Sequence, residues 1–304
     1  MVLCATRVRA HAIPAHLAFA MDRVRIGCVK YLNTLPLIEG LGTDRELELV
    51  SAVPAKLGAM LAGGEVDVAL ASVVDFATSV VPLAMLPVGA IGCDGPTLTV
   101  RLFSQVPLEK VRTLHADTDS HTSVLLARVL LTRCFNADAT VVDFDARERV
   151  SIGGAAPDAG EWPQTLLLIG DKVVTDSPPA VRYPHQLDLG EQWKEWTGLP
   201  FLYAVWMCRA ADADAVKVRT IAALLDRQRR RNLLRTQWLI DRAVDDRRWP
   251  RDLATRYVTE FLRYEVGDRQ REAVARFLIE CSSLGLLPVA QPRWVDLDAA
   301  AARA

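Results

Sequence analysis

The residues of this chain whose types and spacing could do chemistry are amides and hydroxyls rather than cations or metal ligands. Asn33 offers both a donor and an acceptor, and it stands in Tyr31-Leu-Asn-Thr-Leu-Pro36, where a strand gives way to a helix. Pro36 fits a first helical turn, where its missing N–H has no partner to lose, and Thr34 or Leu35 then supplies the cap. A strand running straight into a helix start leaves backbone N–H groups free, and these suit an anion. Ser120-His-Thr-Ser123 opens a second helix with three hydroxyls, which can hold a carboxylate without Arg or Lys. The same residues also make an ordinary N-cap. Ser72 and Asp171 each follow an apolar run; Ser72 also reads as a satisfied buried hydroxyl, and Asp171 as the cap of the next helix.

The elements that must position these groups alternate between strand and helix, the pattern of an α/β protein with mixed, mostly parallel sheets flanked by helices. Val24, Ile26 and Cys28 alternate as a first strand, followed by strands over Leu47–Ala52 and Val66–Ala71 with a helix over Pro54–Ala62 between them. Two prolines in Val80–Gly89 suggest a strand and a turn. Thr97–Phe103 enters a second lobe, with strands at Thr113–Ala116, Thr140–Phe144 and Leu166–Ile169 and a helix over Ser123–Cys134. Residues 153–164 read as a loop and Pro178–Leu189 as irregular. Phe201–Met207 returns the chain to the first lobe, which then continues as helices from an Asp212 cap to about Leu287. The expected division is a disordered extension over 1–20, a first lobe from 21–98 plus 204–290, a second lobe over 99–203, and a tail over 291–304. In parallel α/β sheets ligands bind beyond the carboxyl ends of strands, so a cleft between the lobes would be lined from both.

Composition narrows the class. The 304 residues are 51% hydrophobic and 24% charged with a formal charge of −1, which argues against nucleic acid as partner. The basic run Arg227–Arg231 closes a helix, where cations are favoured. No stretch reaches the roughly 20 apolar residues of a membrane span. The apolar part of 1–20 is short and broken by His11, Pro14 and His16, unlike a secretory signal. Six scattered cysteines without a Cys-x-x-Cys pair suit reduced thiols in the cytoplasm, and the histidines form no metal-spaced cluster. The chain has neither a phosphate loop, nor a dinucleotide fingerprint, nor a metalloprotease His pair.

Tyr31-Leu-Asn-Thr-Leu-Pro36, Val68–Phe76, Gly95-Pro-Thr-Leu-Thr-Val100, Asp119-Ser-His-Thr-Ser123, Leu168-Ile-Gly-Asp171, Asp188–Pro200 and Phe261–Asp268 occur in an order that resembles the chorismate dehydratases of menaquinone biosynthesis by the futalosine route. The resemblance covers residues 23 to about 290. It implies a two-lobed fold like that of type 2 periplasmic binding proteins and a hydro-lyase without metal or cofactor. That enzyme removes water from chorismate to give 3-[(1-carboxyvinyl)oxy]benzoate. On this reading Asn33 is catalytic and positions the leaving hydroxyl. Ser72, Ser120, Thr122 and Ser123 bind carboxylates, Thr99 orients the substrate in place of the family's usual Ser, and Thr34 and Asp171 complete the site. Lys30 departs from the family pattern and is expected to face solvent. No general base emerges, so the enolpyruvyl carboxylate of the substrate is the candidate. Two alternatives stand beside it. One is a non-catalytic solute-binding protein for a small carboxylate. The other is the related dihydroxynaphthoate synthase, whose usual Cys/Ser-Pro-Asn-Asp opening is not matched here. Either a monomer or a homodimer fits.

Overall fold

A computed structural model of the chain describes residues 23–117, 119–144 and 162–297. The extension expected over 1–20 and most of the loop expected over 153–164 lie outside the described residues.

β1 (Val24–Cys28) forms where the apolar alternation begins, and its inner residues are buried. β2 (Leu47–Ser51) and β3 (Val68–Ser72) flank it in parallel. The helix Pro54–Ala62 between them carries proline in its first turn and ends against Gly63 and Gly64, the latter left-handed at φ +73°. β4 (Leu83–Cys93) is one long strand where two prolines suggested a strand and a turn. Pro87 is tolerated because the ladder breaks around it: Ala90 pairs with Val205, but Met85 pairs with Met207.

The chain then crosses to a second sheet made of β5 (Val100–Ser104), β6 (Thr113–Asp117), β7 (Thr140–Phe144), β8 (Thr165–Ile169) and β9 (His185–Asp188). β9 lies in the stretch expected to be irregular. It is a four-residue edge strand on β5, too short and too polar at His185 and Gln186 to show a pattern. β10 (Phe201–Arg209) brings the chain back, and the two-residue β11 (Leu262–Arg263) closes the first sheet.

The strand orders are β2-β1-β3-β10-β4-β11 and β7-β6-β8-β5-β9. Both sheets are mixed, and among the described residues five strand pairings are antiparallel and four parallel. β10 opposes β3 and β4, and β5 opposes β8 and β9. Locally wound β–α units make the parallel pairs. The strands that arrive from the other lobe run against them.

Below, lobe 1 denotes the part built on the six-stranded sheet and lobe 2 the part built on the five-stranded one. At their junction the buried Trp193, Phe201 and Phe277 pack edge to face, with centroids 5.0 to 6.0 Å apart. The C-terminal helices pack on lobe 1, and their helical run is broken by a π turn at Tyr257–Phe261 that leads into β11. Ala215, not Asp212, caps the helix Val216–Leu233; Asp212 instead pairs with Arg209 at 2.8 Å. Residues 293–295 are bound to β4, with Met85 N–H donating to the Arg293 carbonyl and Val295 N–H to that of Met85. Among the described residues no helix is long and apolar enough to cross a membrane.

Candidate active site

The crossover from lobe 1 to lobe 2 is held by one buried carboxylate. Asp188 Oδ1 accepts the N–H of Thr97 at 2.9 Å and those of Gly190 and Glu191, capping the helix Leu189–Thr197, while Oδ2 accepts Leu98 N–H at 2.7 Å. This fixes Leu98 at φ +69°, a left-handed conformation rarely adopted by a branched residue. Both flanking threonines then face one cleft: Thr97 bonds Tyr203 OH at 2.8 Å, and Thr99 bonds Tyr257 OH at 2.6 Å.

That cleft lies between the lobes. Asn33, Ser72, Thr99, Ser120 and Ser123 all lie on its wall, from both sides. Among the described residues, none that lines it carries a charge. Its polar surface consists of hydroxyls, phenols and one amide.

Each expected residue has a definite place. Asn33 sits in a 3-10 turn, Leu32–Thr34, and its Oδ1 is buried without a hydrogen-bond partner. Thr34 caps the short helix Leu35–Ile38 by position, with proline in its first turn. Its fully buried hydroxyl is shared between the carbonyls of Val29 at 2.9 Å and Tyr31 at 2.8 Å, so it shapes the turn and does not line the cleft. Ser72, at the end of β3, accepts Thr122 N–H at 3.1 Å and meets the Thr122 hydroxyl. Thr122 stands behind it, and the pair joins the lobes. Ser120 caps the helix His121–Phe135 by accepting Ser123 N–H at 3.1 Å, and it donates to Ser123 Oγ at 2.8 Å. Capping and exposure to the cleft therefore coexist in these serines.

Asp171 is off the cleft wall. Burial pushes its carboxyl above the usual carboxylate range, opposed mainly by the Arg247 charge and also by the Leu32 amide. The Trp249 indole lies alongside it, its N–H short of a full hydrogen bond.

Sequence reasoning missed Thr97, Tyr203 and Tyr257, and it used Tyr31 only as part of a motif. Thr97 shares strand parity with Thr99, a signal that was available. Tyr203 and Tyr257 sit in apolar patterns and read as core, where an aromatic ring is ordinarily packing. Burial holds both phenols well above their usual range, so they stay protonated at neutral pH. Behind the cleft, Lys172 lies 2.5 Å from Asp117 and 3.0 Å from Asp119, and Tyr31 OH donates to Asp119 at 3.5 Å. His121 pairs across the lobes with Asp75 at 2.8 Å. Burial pushes the Cys28 and Cys93 thiols up to about 11, which leaves them poor nucleophiles. Among the described residues no three His, Cys, Asp or Glu side chains converge on a metal position. Lys30 is exposed, as expected.

Two α/β lobes that share the wall of one cleft define the architecture of a periplasmic binding protein. Among solved structures the fold is similar to a protein of Archaeoglobus fulgidus, with a TM-score of 0.65 and 16% identity over 88% of this chain and 100% of that one. It is also similar to a Candida albicans protein described as having the generic periplasmic binding protein fold, with a TM-score of 0.59 and 11% identity over 88% and 92% of the two chains. The chain belongs to the menaquinone biosynthesis family, whose model matches residues 24–283. It is 29% identical to a chorismate dehydratase of Thermus thermophilus over 202 residues, which span 60% of this chain and 69% of that one.

Proposed function

We propose that this protein is a chorismate dehydratase, a hydro-lyase that converts chorismate to 3-[(1-carboxyvinyl)oxy]benzoate and water in the cytoplasm. The family and the relative from Thermus thermophilus support the substrate class. The observation that carries the mechanism is the buried, unpartnered Oδ1 of Asn33 in a cleft whose lining, among the described residues, is neutral throughout. A buried acceptor without a donor costs about 1–3 kcal/mol, so one that persists is poised for a ligand.

The reaction asks little beyond positioning, because the product ring is aromatic. Asn33 Oδ1 accepts the hydrogen of the C4 hydroxyl and turns a lone pair of that oxygen toward an incoming proton. The substrate's enolpyruvyl carboxylate takes the C3 proton, the C3–H electron pair becomes the new ring double bond, and the C4–O pair leaves with oxygen. The same carboxylate returns the proton to that oxygen, so water departs and no cofactor is consumed. Among the described residues, no carboxylate or imidazole lines the cleft to compete for the role of base. Ser72, Ser120 and Ser123 donate to carboxylates, Thr122 fixes Ser72, and Thr99 orients the ring. Thr34 and Asp171 act through the turn that carries Asn33. The lobes divide near residues 98 and 204, and the substrate is enclosed between them.

Purified protein incubated with chorismate tests this. The expected result is an aromatic absorbance and a product lighter by one water. Chorismate recovered unchanged after saturable binding would favour a solute-binding protein.

A further inference from the structure

The basic run that closes the helix Val216–Leu233 is only partly explained by the preference of a helix end for cations, because the stripe it belongs to runs on past that end. Arg227, Arg231 and Leu234 follow at i, i+4 and i+7, and Leu234 still has helical dihedral angles, so the three share one face. All three are exposed, Leu234 at 91%. The chain then turns at Arg235 into the short helix Thr236–Asp241, which presents Trp238 at 44% exposure. The guanidinium carbons of Arg235 and Arg242 each lie 4.8 Å from the centre of the Trp238 ring.

The charge here is concentrated and uncompensated, although the chain as a whole carries −1. Nearby Asp226 is taken by Arg229 and Arg230, and Asp241 by Arg251. Among the described residues no carboxylate forms an ion pair with Arg227, Arg231, Arg235 or Arg242. Guanidinium groups left open in this way match phosphate oxygens. A helix end in water has no use for an exposed Leu and Trp among its cations, whereas a lipid surface has a place for each. An indole settles at the level of the headgroups, and an aliphatic side chain reaches the acyl boundary beneath them. Leu234 stands out from the surface instead of lying in a groove. A fluid bilayer closes around such a side chain, while a rigid protein partner would need a pocket cut to fit it. None of these residues lines the cleft.

We infer that Arg227, Arg231, Leu234, Arg235, Trp238 and Arg242 form a surface that docks on an anionic lipid bilayer, the guanidinium groups at the phosphates and the two apolar side chains below them. The inference is independent of the dehydratase reading. The docking is peripheral, since among the described residues no helix is long and apolar enough to cross a membrane. Two inserted side chains bury too little apolar area to hold the protein alone, so the cations share the task and salt weakens the hold. Arg235 has a structural duty as well: it donates to Asn232 Oδ1 at 2.9 Å, and Asn232 Nδ2 donates to the carbonyls of Pro36 and Glu39. The test therefore leaves Arg235 in place.

Co-sedimentation of the full-length protein with vesicles tests this, one set made of phosphatidylcholine alone and one of an equimolar mixture with phosphatidylglycerol. At low salt the partition coefficient onto the mixed vesicles should exceed that onto the neutral ones at least about thirtyfold, and it should fall about tenfold or more at about 0.5 M NaCl. Arg227→Gln, Arg231→Gln and Arg242→Gln made together should lower it about a hundredfold, on the order of fivefold for each guanidinium. Leu234→Ser with Trp238→Ser should lower it about tenfold. Both variants should keep the wild-type Tm within about 2 °C, because the changed side chains are exposed. Equal binding to the two kinds of vesicle, or none to the mixed ones, overturns the inference, as does binding that the arginine variant retains. Loss in the arginine variant with none in the Leu234 and Trp238 variant also overturns it, and assigns the surface to an acidic protein instead. The lipid comparison and the salt titration need only wild-type protein, so they decide the matter even if a variant is poorly folded. Chorismate left unchanged by the wild-type protein would defeat the functional reading without touching this one.

Discussion

Replacing Asp188 by Asn keeps the side chain's shape and removes its charge. One carboxylate oxygen holds three backbone N–H groups and the other holds Leu98 N–H at 2.7 Å, with Arg101 at 3.7 Å. In the amide, the oxygen keeps the three bonds in weakened form and the NH2 faces the Leu98 N–H, donor against donor. A hydrogen bond to a charged group contributes about 1.5–3 kcal/mol, and leaving its buried partner unsatisfied costs about 1–3 kcal/mol. The left-handed Leu98 stores a further 1–3 kcal/mol or so, and this clamp is what holds it. A net loss of about 3–5 kcal/mol follows, which for a chain of this length lowers Tm by roughly 6–10 °C. Because Thr97 and Thr99 are set by the same crossover, kcat/KM should fall at least about tenfold. Thermal denaturation followed by circular dichroism, with chorismate turnover in parallel, gives both numbers. A Tm within about 1 °C of wild type, together with full activity, would refute the claim that Asp188 organises the crossover.

Gly190→Ala attacks the same junction from the helix side. Its Cβ would lie 2.5 Å from Cys93 Sγ and 2.8 Å from the Gly95 carbonyl, and nearer still to Thr97 Oγ1, so we expect a loss of about 3 kcal/mol by urea denaturation. His121→Gln should destabilise in a pH-dependent way. The Asp75 carboxylate raises the His121 pKa above its ordinary 6.5, so the pair's contribution is complete below that value and disappears as pH rises through the folded-state pKa. Denaturation near pH 6 should therefore show a larger penalty than near pH 9, and equal penalties would count against the interlobe pair. Lys172→Met leaves Asp117 and Asp119 buried together without their cation and should cost about 3–5 kcal/mol near neutral pH. Burial already raises the Asp117 pKa, so lowering the pH toward about 5 should restore part of the variant's Tm as that carboxyl protonates.

The parts of this site legible in the sequence are those with a local cause. The alternation of Val24, Ile26 and Cys28 ends where it must, and Pro36 marks the helix start that sets Asn33 on its turn. Ser120 reads as a cap because caps need only the three residues that follow. The crossover did not read, because Leu98 takes its conformation from Asp188, ninety positions away. Tyr203 and Tyr257 were invisible for a related reason: nothing nearby distinguishes a phenol aimed into a cleft from one packed in a core. Thr34 and Asp171 belong to the motifs Tyr31–Pro36 and Leu168–Asp171, which is why the sequence points to them as substrate contacts. Thr34 instead holds the Val29–Tyr31 turn, and Asp171 is buried off the cleft wall. The sheets are mixed, as expected, but hold more antiparallel pairing than the pattern suggested, because strand patterns report burial but not direction, and β5 and β10 enter their sheets from the opposite lobe.

The most direct test of the account compares Asn33→Ala with wild type for both chorismate turnover and chorismate binding. Removing the unpartnered Oδ1 should lower kcat by about a hundredfold to a thousandfold, the scale of losing one preorganised hydrogen-bonding group, while Kd changes less than about fivefold. Turnover close to wild type, or a loss confined to binding, would contradict it.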